Sequence, residues 1–102
     1  MRIYLSIPIS NLCYKEVCQR ADLIKAQLSR AGHEVISPIE IYAGENPSYE
    51  DHIAEDIRLL MQCDGIYLCR GWHMSCGCNI EFCVAVQLKK FKNPNFKILK
   101  EE

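Results

Sequence analysis

The order of apolar and amphipathic stretches is the feature of this chain that most constrains its fold. Four stretches have the length and apolar content of buried strands: RIYLSI (Arg2 to Ile7), HEVIS (His33 to Ser37), GIYLC (Gly65 to Cys69) and FKILK (Phe96 to Lys100). A stretch with helical periodicity separates each strand from the next. Alternation of this kind predicts βαβ units with right-handed crossovers, and therefore a parallel sheet.

The three stretches between the strands carry helix signals. From Leu12 to Ala31, apolar residues recur three and four positions apart, and Gly32 is placed to end the helix in a left-handed conformation. The second helix is predicted to begin after Ser48 as N-cap and to end near Cys63. The third is predicted from Cys76 to about Phe91.

The length of 102 residues favours one domain, spanning residues 1–102. We predict an α/β fold, a small three-layer, doubly wound (flavodoxin- or Rossmann-like) parallel sheet with strand order 2-1-3-4. Ligands of such sheets bind beyond the carboxyl ends of the strands, at the switch point between the first and third strands. This brings Ser6 to Ser10 beside the predicted loop Gly71 to Ser75.

Composition limits the partners and the compartment. A formal net charge of −1 gives no electrostatic reason to expect nucleic acid as a partner. No apolar run approaches the roughly 20 residues of a membrane span, and the first strand is too short and too β-like for a signal peptide. Seven cysteines, an odd number without framework spacing, indicate reduced thiols. We therefore expect a cytoplasmic protein with neither nucleic acid nor membrane as partner.

The window GWHMSCGCNIEFCVA, from Gly71 to Ala85, concentrates the groups with chemical potential. Four soft ligands fall within it, but without paired C-x-x-C knuckles: His73, Cys76, Cys78 and Cys83. Cys78 and Cys83 are five apart on the predicted helix and so point in different directions. We predict no metal and no cofactor, and keep a thiol or zinc protein as the least favoured alternative.

The lone carboxylate of this window is the stronger candidate. Glu81 lies within the apolar stripe of the third helix, four residues after Gly77 and four before Ala85. With Ser75 as N-cap the capping-box position falls on Cys78, so capping does not account for Glu81. A glutamate in an apolar setting is costly unless it is hydrogen-bonded or functional. The alternative is a glutamate that reaches solvent from the edge of the stripe.

Asp56 is the second carboxylate of interest. It lies between Ile53 and Leu60, on the flank of the apolar face of the second helix. A solvated surface aspartate is the alternative reading of this position. Two carboxylates that meet in a pocket suit glycosidic-bond chemistry, because one can attack the anomeric carbon while the other handles a proton at the leaving group.

Three motifs, in order, resemble a known family. They are IYLSIPIS at the start, D-I-x-x-L-x-x-C-D from Asp56 to Asp64, and S-x-G-x-x-x-E from Ser75 to Glu81. Together they are similar to the nucleoside 2-deoxyribosyltransferase superfamily, and the likeness runs from the first strand to the fourth. The chain resembles in particular a subgroup of small, uncharacterised domains with the pattern G-W-x-x-S-x-G-x-x-x-E.

The resemblance implies roles for individual residues. Glu81 would be the nucleophile that forms a covalent glycosyl-enzyme, Asp56 would assist departure of the base, and Tyr4 would orient the nucleophile. Serine at position 75 is typical of relatives that hydrolyse 2′-deoxynucleoside 5′-monophosphates, in which it faces the phosphate. A hydroxyl at a helix N-terminus can bind an anion such as phosphate, whereas an aspartate at the same position would repel it. The resemblance also implies a homodimer or larger homo-oligomer.

Substrate contacts are expected from both loops at the rim. Besides Ser75, we expect them from Ser6, Ile9, Ser10, Gly71, Trp72 and Gly77. Pro8 departs from the glycine-containing phosphate loop of the hydrolase-like relatives, and it has no N–H to donate. The sequence thus leads us to expect cleavage or transfer at the N-glycosidic bond of a nucleoside or its 5′-monophosphate. The alternative is a non-catalytic nucleotide-binding domain on the same scaffold.

Overall fold

Four strands and three helices alternate in the residues that the structure, a computed structural model, describes: 1–9, 13–37 and 49–101. The elements are β1 (Arg2–Ser6), α1 (Tyr14–Arg30), β2 (Glu34–Ile36), α2 (Tyr49–Met61), β3 (Gly65–Leu68), a 3₁₀ turn (Trp72–Met74), α3 (Cys76–Phe91) and β4 (Lys97–Lys100). The predicted N-cap Ser48 and the predicted substrate residue Ser10 lie outside the described residues.

The sheet has the predicted topology. Its order is β2-β1-β3-β4, and every pairing is parallel. In the central strand, Tyr4 is paired with Ile66 of β3, and Ser6 with Leu68. The α/β fold class and the 2-1-3-4 order are therefore confirmed, and the molecule is a small Rossmann-like domain.

The two faces of the sheet bury separate clusters of side chains. Alternate residues of a strand point to opposite faces, so β1 contributes to both. The face that α1 covers contains Leu5, Ile7, Val17, Ala21, Ile24, Val35 and Cys69. The face beneath α2 and α3 contains Tyr4, Leu60, Cys63, Ile66, Leu68, Ala85 and Phe96. Tyr4 thus faces the second layer of helices, where Glu81 lies.

Local signals account for the ends of α1 and α3. Gly32 has φ +92°, and its N–H donates to Ser29 while that of His33 donates to Leu28. This is the Schellman arrangement predicted for a glycine at C′. At the other end of the fold, Ser75 is the N-cap of α3, as its sequence position predicts. The observed strands are one or two residues shorter than predicted, because strand residues are those paired in the ladders.

Within the part of the chain that the structure describes, none of the helices is both long and apolar enough to cross a membrane.

Candidate active site

Glu81 is buried at the centre of the candidate site, with 5% of its surface exposed. The Tyr4 hydroxyl donates to Glu81 Oε2 at 2.5 Å, and the Ser6 hydroxyl donates to Oε1 at 2.7 Å. Both carboxylate oxygens therefore have a donor from β1. Of the two alternatives for Glu81, the structure has the buried, hydrogen-bonded carboxylate and not the one that reaches solvent.

The geometry follows from two periodicities. Tyr4 and Ser6 are two residues apart on a strand, so both side chains leave the sheet on the same face. Glu81 lies four residues before the fully buried Ala85, on the stripe of α3 that packs against that face. The strand period and the helix period thus bring two hydroxyls to one carboxylate.

Burial and hydrogen bonding have opposite effects on Glu81. Burial raises the pKa of its carboxyl group above the usual value, and the hydrogen bonds from Tyr4 and Ser6 offset only part of this rise. Burial, and then the charges of Glu81 and Asp56, raise the pKa of Tyr4 well above its usual value. The phenol therefore stays protonated and remains a donor to Glu81.

Asp56 lies close enough to Glu81 for their charges to interact. Burial first, and then the charges of Glu81 and Glu55, raise the pKa of Asp56 to about 7. Its Oδ1 is buried and has no hydrogen-bond partner among the described residues. Where the two carboxyl groups hold one proton between them, we assign that proton to Asp56. Glu81 is the ionised member, because two hydroxyl donors stabilise its charge. Asp56 can therefore exchange a proton near neutral pH.

The loop after β3 lies beside the segment after β1, as predicted. The amide of Cys69 donates to the Ser6 carbonyl at 2.9 Å. Gly71 has φ +90°, which favours glycine, and a β-carbon there would lie 3.7 Å from Pro8 Cγ. The predicted loop is in part a 3₁₀ turn, Trp72–Met74, rather than wholly irregular.

The Trp72 ring makes contacts with α3 and β4. Its ring packs on Phe82, with a centroid distance of 4.9 Å, and the Lys100 ammonium lies 5.4 Å from the ring centroid. These contacts attach the 3₁₀ turn to α3 and β4. The sequence provided no signal for them, because the three residues belong to different elements.

Ser75 and Gly77 form the first turn of α3. The hydroxyl oxygen of Ser75 accepts a hydrogen bond from the Cys78 amide at 3.3 Å. A β-carbon at Gly77 would lie 3.6 Å from Ile53 Cδ1 of α2 and 4.0 Å from Ser75 Oγ. A methyl group at position 77 would therefore make ordinary van der Waals contact with α2 and with Ser75.

The other predicted substrate residues, Ile9 and Ser6, differ in their exposure to solvent. Ile9 follows β1 and is 43% exposed at the carboxyl edge of the sheet. Ser6 is fully buried, and its hydroxyl is bonded to Glu81 rather than open to a ligand. Tyr4, Ser6, Asp56 and Glu81 are thus brought together, whereas the Trp72 ring is turned towards Phe82.

Asn79 was not predicted to contribute to the site. Its side-chain amide donates to the carbonyl of Ser75 at 2.8 Å and to that of His73 at 3.0 Å. It thereby ties the 3₁₀ turn to the start of α3. The sequence signal that could have predicted this contact is the position of the asparagine, four residues after the N-cap serine.

A second unpredicted contact braces the end of β3. Arg20 of α1 donates to Glu101 Oε1 at 2.5 Å and to the Arg70 carbonyl at 2.9 Å. The Arg70 amide donates to the same Glu101 oxygen at 2.7 Å. These contacts join α1 to the residues just before Gly71. Separations of 31 to 81 residues left no local signal for them.

The positions of the His and Cys side chains bear on the thiol or zinc alternative. Among the described residues, no group of three or more His, Cys, Asp or Glu side chains is placed to hold a metal ion. All seven cysteines are free thiols. Cys78 is buried and Cys83 is exposed, as expected for two positions on different sides of α3.

An apolar groove of about 430 Å³ lies apart from these carboxyl groups. It runs between the end of α2 and the second half of α3 and is lined by Met61, Cys83, Val84, Gln87, Leu88, Phe91 and Lys92. The lining includes no acidic side chain. The chemistry is therefore assigned to the buried Glu81 cluster and not to the groove.

Fold and site together define a small doubly wound α/β domain with a buried, hydroxyl-bound carboxylate at the switch point of its sheet. Residues 1–91 match the model of a family described as a domain of unknown function, DUF4406. The chain belongs to that family. A search of curated proteins finds no significant match.

Proposed function

We propose that this protein cleaves, or transfers across, the N-glycosidic bond of a deoxynucleoside or its 5′-monophosphate. The observation that carries the proposal is Glu81, a buried carboxylate held by Tyr4 and Ser6 with Asp56 beside it. The resemblance to the nucleoside 2-deoxyribosyltransferase superfamily supports the same reaction. A carboxylate with a proton-exchanging neighbour has the parts that two-step glycosidic chemistry uses.

The proposed reaction has two balanced steps. An oxygen of Glu81 attacks C1′ of the sugar, the C1′–N bond breaks, and its electron pair leaves with the base. Protonated Asp56 supplies a proton to the departing base. Water or a second base then attacks C1′ of the glycosyl ester. This releases the Glu81 carboxylate, and the ionised Asp56 accepts the proton of the attacking group.

Ser75 is proposed to contact the 5′-phosphate. Its hydroxyl oxygen accepts from the Cys78 amide, which leaves its own proton to donate. The N-terminus of α3 adds the partial positive charge of its unpaired amides. A phosphate at the N-terminus of α3 would lie on the same helix as Glu81.

We further propose a reducing, cytoplasmic setting and a homo-oligomer. Seven free thiols support the compartment. The proposed partners are small-molecule nucleosides or nucleotides, without nucleic acid or membrane.

A non-catalytic nucleotide-binding domain is the second candidate. Pro8 favours it, because this buried residue directly after β1 and Ile7 has no N–H for a phosphate. Reduced phosphate binding would affect turnover of monophosphates in particular.

The experiment that tests the proposal is incubation with a panel of deoxynucleosides and their 5′-monophosphates. We expect chromatography to detect free base from at least one substrate. Mass spectrometry of the quenched protein should find a deoxyribosyl adduct on the peptide that contains Glu81. Binding of a nucleotide without release of base from any substrate would favour the second candidate.

A further inference from the structure

The two hydroxyls on β1 hold different oxygens of the same carboxylate. Tyr4 donates to Oε2 and Ser6 to Oε1 of Glu81. A carboxylate with one donor can rotate about its terminal bond, whereas donors on both oxygens fix its plane. Ser6 has one proton, and that proton is used in this contact.

We propose that Ser6 is a positioning residue, which holds Oε1 of Glu81 and fixes the plane of the carboxylate, instead of contacting the substrate. Its side chain is fully buried, which fits this role. The consequence for turnover rests on the proposed function. The effect of Ser6 on Glu81 itself does not.

Cys78 supports Ser6 from the side of α3. The residue is 2% exposed, and its thiol lies close enough to the hydroxyls of Ser6 and Ser75 to interact with both. Burial is the main cause of the raised pKa of Cys78, so the group is a thiol rather than a thiolate. A serine oxygen can accept from a thiol while its proton is donated elsewhere. A chain of contacts therefore connects Cys78, Ser6 and Glu81.

The titratable groups around Glu81 come from three elements. They are Tyr4 of β1, Asp56 of α2 and Cys78 of α3. Burial keeps Tyr4 and Cys78 protonated, so Asp56 is the member of this group that changes charge near neutral pH. Without the Ser6 hydroxyl, the Glu81 carboxylate retains only Tyr4 of its two donors, and its ionised form becomes less favourable.

The test is a carbon-13 NMR titration of the Glu81 carboxyl group, assigned by comparison with Glu81→Gln. In Ser6→Ala we expect the pKa of Glu81 to rise by about 1 to 2 pH units. This range follows because a hydrogen bond to a charged group contributes about 1.5–3 kcal/mol, and one pKa unit corresponds to 1.36 kcal/mol. Ser6→Thr keeps the hydroxyl and should restore the wild-type value. Ser29→Ala, at an exposed position on α1, is the matched control.

An unchanged Glu81 titration in Ser6→Ala overturns the assignment. So does a higher KM in that variant together with an unmoved pKa, because this pattern belongs to a substrate contact. If Ser6→Ala does not fold, Ser6→Cys offers a weaker donor, and the pKa of Glu81 should still rise. An unmoved pKa in Ser6→Cys overturns the assignment as well.

Turnover separates this inference from the proposed function. If the wild type releases free base, the acidic limb of its kcat/KM profile should move to higher pH in Ser6→Ala by the same amount as the NMR titration. If it releases none, the proposed function fails. The NMR result then decides the role of Ser6 by itself.

Discussion

At the scale of single residues, the setting of Glu81 meets two conflicting needs of the nucleophile that we propose it to be. Burial excludes water from the carboxylate but disfavours its charge. Hydrogen bonds from Tyr4 and Ser6 favour the charge again, each by about 1.5–3 kcal/mol for a bond to an ionised group. The carboxylate can therefore be shielded and still ionise.

Glu81→Gln should abolish turnover while preserving the shape of the site. Glutamine keeps the hydrogen-bonding capacity but lacks the attacking charge, so kcat/KM should fall by about a thousandfold or more, or ~4 kcal/mol in the barrier. Steady-state assays of base release measure this loss. Calorimetry should find that a 5′-monophosphate still binds, and binds more tightly because a nearby negative charge is gone.

The matched control for Glu81→Gln is Glu16→Gln, at an exposed position on α1, which should leave turnover unchanged. A wild type without turnover, together with a Glu81→Gln variant altered only in stability, would make Glu81 a structural acid. The nucleotide-binding alternative would then be favoured.

Asp56 should affect stability as a function of pH. Its pKa is raised from 3.8 in the unfolded chain to about 7 in the folded protein. The folded state therefore binds the proton more tightly, and stability falls as pH rises from about 4 to about 7. Asp56→Asn removes this loss, so its free energy of unfolding should exceed that of the wild type above pH 7.

Screening by solvent at this half-buried carboxyl limits the gain in Asp56→Asn to about 1–2 kcal/mol. Denaturant unfolding at pH 5 and pH 8 measures it, and the difference from wild type should shrink at the lower pH. Asp22→Asn, an exposed aspartate on α1, is the control. An equal gain at both pH values would contradict the raised pKa. In assays, Asp56→Asn should slow substrates whose base leaves only when protonated.

At the scale of elements, the N-terminus of α3 combines two roles at Ser75. The side chain caps the helix through the Cys78 amide and is proposed to face the phosphate. Ser75→Ala should lower the free energy of unfolding by about 1 kcal/mol, the usual effect of losing a cap. It should also weaken the binding of 5′-monophosphates more than that of nucleosides, because only the monophosphates contact the hydroxyl in the proposed complex.

Ser75→Asp separates these two roles. Aspartate caps a helix as well as serine does, so thermal unfolding should be close to that of the wild type. Its charge should nevertheless weaken monophosphate binding beyond the effect of Ser75→Ala. Equal binding of monophosphates by wild type and Ser75→Asp would place the phosphate elsewhere.

At the scale of the whole molecule, the chain should form a homodimer or a larger assembly. A four-stranded domain buries a limited core, and several large apolar residues remain exposed, such as Leu23 at 67% and Phe91 at 74%. Light scattering at micromolar concentration should find a mass of at least twice the 11.8 kDa of one chain. A mass of one chain would contradict the proposed homo-oligomer.

The architecture could be predicted from the sequence because its signals are local. Apolar runs, helical spacing, and the positions of Gly32 and Ser75 act within a few residues, and the structure follows them closely. The parallel order 2-1-3-4 then follows from general limits on βαβ connections. The burial of Glu81 could also be read from its place in an apolar stripe.

What only the tertiary structure decided is the geometry around Glu81, because the family resemblance implied Tyr4 as its partner but not Ser6. Tyr4 and Ser6 are 77 and 75 residues away in sequence, so no periodicity could assign their hydroxyls to its two oxygens. The Arg20 contact with Glu101 spans 81 residues in the same way, and the Trp72 ring meets Phe82 across two different elements. The sequence by itself determined the elements and the side of α3 that is buried, since those depend on neighbours along the chain. The partners of the carboxylate, and with them its protonation, depend on packing between distant segments.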